Sequence, residues 1–278
     1  MGISFIFKEY RWRIIATFSL LVLENVARVF QPLLLGLAIN DLLEGDNQGL
    51  WWFGALYIFG FMVGTARRYY DTRVYTAIYA NTATHMATAN GSSEMTISAI
   101  TARSSLIKEL VDFFEHDLPQ AFSSVIGVVG AIVLLATFHL WIALGCLLCI
   151  ILILAIYGIS TNRIYAFNVG LNDELEKRVD VLHTRAPKSI FNHFRSIARW
   201  MVKMSDLDTL NYGLVELLLF GLAVFALFMS VQMPNATAGS IFSVLTYVLE
   251  FAEGIYMLPM VFQQLIRLRE IRNRLENA

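Results

Sequence analysis

The chain of 278 residues is 57% hydrophobic, only 15% charged, and has a formal net charge of −1. Soluble domains carry roughly 25% charged residues, so this composition excludes a water-facing globule. Without a basic stripe it also excludes a nucleic-acid binder, and what remains is an integral membrane protein.

The opening residues, MGISFIFKEYRWR, are a polar-aromatic lead into a long apolar run, with no small-residue cleavage site after a short core, so no removable signal is expected. A spanning helix needs about 20 mostly apolar residues. Such runs predict a first helix over 14–39 and a second over 50–70, which needs 66–70 to reach spanning length. A third follows over 118–138, and a tight turn at His139 leads to a fourth over 141–160. The fifth covers 210–231 and the sixth 238–266, with Pro259 expected to bend it.

The basic residues give these helices a sidedness. All of the 21 Lys and Arg residues except Arg28 fall before the first helix, between Thr65 near the end of the second and the start of the third, between the fourth and fifth, or after the sixth. The connections NDLLEGDNQG, His139 and QMPNATAGS carry none. The positive-inside rule then puts both termini in the cytoplasm, with a bacterial inner or plasma membrane the expected location. The two basic connections, about 66–117 and 161–209, are long and carry apolar residues at helical spacing, so they are expected to extend the helices beyond the bilayer. No linker-like tract divides the chain, which is expected to form one domain, 1–278.

Three stretches carry a family resemblance. FKEYRWRIIATFSLLVLENVARVFQPLLLGLAINDLL has a basic lead, a Gln-Pro kink and a Gly before Asp-Leu-Leu; LVDFFEHDLPQAFSSVIGVVGAIVLLATFHLWIAL opens the third helix and turns into the fourth; AGSIFSVLTYVLEFAEGIYMLPMVFQQLIRLREIRNRL ends in a basic tail. In this order they resemble the transmembrane domain of exporter-type ABC transporters (type IV fold). The resemblance implies an all-α fold of six transmembrane helices with long cytoplasmic extensions, a domain-swapped homodimer, and a central cavity lined by helices 1, 3, 5 and 6. It also implies an ATPase domain that follows in the chain or comes as a separate subunit, docking on short coupling helices at the tips of the inner loops. No G-x-x-x-x-G-K-[ST] loop occurs, so this chain is not expected to hydrolyse ATP. The first inner loop, NTATHMATANGSSEMTISAITARSS, is small and polar where the family has aromatic and charged docking residues, and the second is shorter than the family's. These departures favour a stand-alone, ATP-independent protein over a subunit with a separate ATPase.

Charges inside the apolar runs are the candidate site. Glu24 stands about 16 Å past Arg13 at 1.5 Å per residue, which suggests the midplane, and Glu216, Glu250 and Glu253 count to middle depths in helices 5 and 6. A charge in hydrocarbon costs about 2.5–3.5 kcal/mol or more, so these residues are expected to face other helices or water. Neutralisation of Glu24 by Arg28 one turn away accounts for that pair and leaves the other acids unexplained. On helix 6, Tyr247, Glu250, Phe251, Gly254, Met257 and Leu258 recur at spacings of three and four, a face suited to hydrophobic or cationic small molecules. The plainer reading, a packing face, covers the aromatics and not the acids.

Cys146 and Cys149 form C-x-x-C inside an apolar helix, without a second pair; His85, His116, His139, His183 and His193 lack ligand spacing. Neither metal, cofactor nor enzyme activity is expected. Gly127 and Gly130 permit close helix contact. The expected function is a homodimeric transporter or multidrug-type binding protein, ATP-independent and proton-coupled, with two alternatives: the membrane subunit of a two-component exporter, or a membrane protein that binds ligands without transporting them.

Overall fold

The computed structural model describes residues 3–89 and 97–277, with side chains over 9–85 and 104–257. Helix α1 runs Ile3–Glu44, α2 Gln48–Ala89, and α3 Ile97–Asp112. A π-helical turn, Phe113–Asp117, joins α3 to α4, Leu118–Phe138. Then come α5, Leu140–Glu176, a short α6, Arg178–His183, α7, Pro187–Val231, and α8, Ala238–Asn277. Among the described residues, six helices are long and apolar enough to cross a membrane. The chain is therefore an all-helical integral membrane protein.

The apolar runs end where local chemistry stops a helix. His139 adopts an extended backbone (φ −158°, ψ 114°) between α4 and α5, and its N–H still reaches Leu135 O at 2.8 Å. Gly45, at φ 83°, ends the turn after α1, a conformation that glycine adopts without a Cβ clash. At their polar ends the helices do not stop: α1, α2, α5 and α7 all continue past the predicted apolar boundaries. Leu258, Pro259 and the middle of the first inner loop lie outside the residues whose side chains are described.

Two compact units make up the chain, one of residues 1–140 with 227–278, the other of 141–226. In the first, α1 packs on α2, α4 and α8, and α4 packs on α8. Tyr10, Val74, Tyr75, Ile78, Ile107 and Val111 form a buried cluster at its polar end. In the second, α5 packs on α7. Gly145 leaves room for Leu222 and Phe225, Ser160 Oγ bonds Asn211 Oδ1 at 2.8 Å, and Trp200 lies over Gly170. Cys146 and Cys149 are free thiols buried in that unit, as small packing residues.

Candidate binding clefts

Helix α8 is fixed to α1 by polar groups that break into the backbone ladder of α1. Pro32 has no N–H, so α1 already lacks one hydrogen bond there. Beside that gap Tyr247 OH donates to Val29 O at 2.8 Å and accepts Leu33 N–H at 3.2 Å, standing between two groups that would otherwise bond each other. One turn nearer the short-loop end, Ser243 Oγ bonds Pro32 O at 2.8 Å. Further along, Asn40 Oδ1 accepts Gly239 N–H at 2.8 Å, where neither Gly36 nor Gly239 has space for a Cβ.

With α8 held there, α1, α4 and α8 enclose a cleft of about 280 Å³. Arg28 borders it from α1, Gln120, Ser123 and Ser124 from α4, and Glu250, Glu253, Gly254 and Met257 from α8. Asn25 Nδ2 donates to Ser123 Oγ at 3.0 Å, which ties α1 to α4 at the rim. Gly254 is needed for the close approach, since a Cβ there would collide with Val128 of α4. Among the described residues neither Glu250 nor Glu253 has a salt bridge, so the cleft presents two carboxylates and one guanidinium.

The structure divides the expected α8 face. Glu250, Glu253, Gly254 and Met257 line the cleft, whereas Tyr247 and Phe251 are fully buried in helix packing. At 3.6 residues per turn, positions 247 and 251 lie roughly 60–100° around the helix from 250, enough to turn them onto neighbouring helices. Glu216 stands exposed on α7 in the second unit.

Glu24 has a different principal partner from the one the spacing suggests. Arg67 Nε reaches Glu24 Oε2 at 2.6 Å, and its Nη1 reaches Asp71 Oδ2 at 2.7 Å. Arg28 stands 3.6 Å from Glu24 Oε1 with 57% of its side chain exposed, against 12% for Arg67. The i,i+4 pair is thus the looser one. A second residue pattern makes this possible: Gly60 and Gly64, in GFMVG, let α2 approach α1, and a Cβ on Gly64 would come within 2.8 Å of Glu24 Oε1. Sequence reasoning missed both Arg67 and this glycine pair, although the G-x-x-x-G spacing was there to be read.

The exposed aromatics of α2 give a second measure of depth. Trp51 and Trp52 are exposed at the start of α2 and Tyr69 is exposed farther along it, as interfacial aromatics are. Trp51 to Tyr69 spans about 27 Å at 1.5 Å per residue, close to the thickness of a bilayer core. Arg67 is then near the Lys/Arg-rich boundary, and so is Glu24. Arg13, the marker used in the count from sequence, lies on a stretch of α1 that continues back to Ile3.

The sequence pattern of the ABC transporter transmembrane region matches residues 3–239. A search of curated proteins gives no match.

Proposed function

Since the chain belongs to the ABC transporter transmembrane family, for which a membrane transport role follows, we propose that it binds and moves hydrophobic, preferably cationic, small molecules through the cleft between α1, α4 and α8. The observation that carries this reading is the pair Glu250 and Glu253, held in a cleft without a fixed cation of their own apart from the exposed Arg28. Met257 adds a polarizable, adaptable wall for an apolar body. The two carboxylates supply the negative charge that draws the cation in, and transport is proton-coupled in this reading. Two copies form the working unit in this reading, because a single copy would leave its acid-bearing faces against lipid. The Lys/Arg-rich ends and both termini face the cytoplasm.

In this reading the protein acts without nucleotide, which is supported by a first inner loop that is small and polar where a coupling helix would carry aromatic and charged docking residues. A second reading, a separately encoded ATPase docked on the chain, is favoured by α6. That short helix joins α5 to α7 with Val179 and Leu182 exposed, as a coupling helix would be.

The test is a set of binding titrations with a hydrophobic cation and a neutral analogue, on wild type, Glu250→Gln and Glu253→Gln, at two pH values. Cation affinity falls on acidification and in both variants, while the neutral analogue binds unchanged. Equal cation binding throughout refutes the assignment. Dye accumulation in vesicles separates transport from binding alone.

A further inference from the structure

We propose that the groove between α1 and α2 is a binding site for an anionic phospholipid, with its phosphate held by Arg28 and Arg68 and an acyl chain along Phe61 and Tyr57. This site is distinct from the Glu250 cleft, although Arg28 borders both, and the inference requires only that the chain spans a membrane.

The groove has a volume of about 260 Å³ and a floor kept low by Gly60 and Gly64. Its charge is unbalanced. Glu24 and Asp71 are both taken up by the partly buried Arg67, at 2.6 and 2.7 Å. Arg28 keeps only the looser contact to Glu24 at 3.6 Å, and Arg68 forms no ion pair with a described residue. Both are exposed, and although Arg28 is shared with the Glu250 cleft, the charge of Arg68 is left facing the groove beside it. A guanidinium beside acyl chains gains most from a phosphate, which it binds through paired N–H donors.

Polarity along the groove matches the direction of a lipid. Arg68 sits about 26 Å from Trp51 along α2, at the boundary where headgroups lie, and from there Thr65, Phe61 and Tyr57 lead about 16 Å back into the hydrocarbon. Phe61 and Tyr57 are exposed, which suits them to an acyl chain. Helix α2 is also the least covered of the spans, with 11% of its most apolar window buried. The Lys/Arg-rich end of a membrane protein is the one that meets anionic lipid.

The experiment uses the full chain in neutral detergent and counts retained lipid by native mass spectrometry. The probes are phosphatidylglycerol and phosphatidylcholine with identical acyl chains, and a third arm adds inorganic phosphate as competitor. Wild type retains phosphatidylglycerol several-fold over phosphatidylcholine. Arg68→Gln, an exposed change that breaks no ion pair, lowers that preference, and the Arg28→Gln, Arg68→Gln double variant abolishes it. Phe61→Ala leaves the charges in place, so it lowers occupancy by both lipids and preserves their ratio. Undiminished preference in Arg68→Gln overturns the proposal, as does equal retention of the two lipids by wild type. Displacement of the lipid by inorganic phosphate marks a free-anion site and overturns it as well.

Discussion

Tyr247 of α8 places its hydroxyl 2.8 Å from the carbonyl of Val29, inside the backbone of α1. Because the same hydroxyl accepts the N–H of Leu33 at 3.2 Å, an α8 side chain completes an α1 hydrogen bond. In lipid there is no water to replace it. Tyr247→Phe is therefore expected to lower stability by about 1–3 kcal/mol, the cost of leaving buried polar groups unpaired. Thermal unfolding in detergent measures this. Ligand affinity should change less than stability, since Tyr247 does not line the cleft.

Arg67 holds two carboxylates at once, so its removal leaves both without their principal partner. Arg67→Met is expected to cost about 3–5 kcal/mol, as breaking a buried ion pair on one side does. Adding Glu24→Gln and Asp71→Asn removes the stranded charges and should restore much of the loss. Unfolding midpoints of the single and triple variants, compared in one detergent, give the answer.

Gly254 is where α8 comes closest to α4, with Val128 in the way of any Cβ. Gly254→Val should push α8 outward and distort the cleft beside Glu250 and Glu253. The expected result is loss of both cationic and neutral ligand binding, unlike the charge-selective loss in the Gln variants. Parallel titrations with the two ligand types distinguish these patterns.

A homodimer is expected to show a detergent-corrected mass near twice 31.4 kDa. Ligand affinity should be the same with and without ATP and magnesium if the protein works alone. Light scattering and nucleotide-titrated binding check the two expectations separately. Nucleotide-sensitive binding only when an ATPase is added would favour the docked reading through α6.

The spans were legible because hydropathy marks them directly: the breaks after Phe138 and Val231 fall where apolar residues give way to His139 and to a Pro-Asn turn. The true helix ends were less legible. Backbone periodicity continues through the bilayer boundary when only the side chains become polar, so α2 reaches Ala89. The partner of Glu24 was hidden for a different reason. Spacing reveals neighbours on one helix, such as Arg28, but Arg67 lies 43 positions away and meets Glu24 through interhelical packing. Likewise, spacing groups Tyr247 with Glu250 on one broad face, and only the neighbouring helices decide which of them sees the cleft.

Helix α7 continues without a break from Pro187 to Val231, 45 residues. At 1.5 Å per residue that is about 67 Å, roughly twice the hydrocarbon thickness, so half of it is a rod outside the bilayer. The Glu174–His193 contact at 3.0 Å and the tilted ring contact of Phe167 with Trp200, centroids 6.1 Å apart, brace this rod against α5 beyond the predicted spans. The pair behaves as a stiff lever: a tilt of about 5° pivoting at the bilayer centre swings an end about 35 Å away by roughly 3 Å. In the docked reading, a push at α6 is thereby delivered to the embedded half as a rotation.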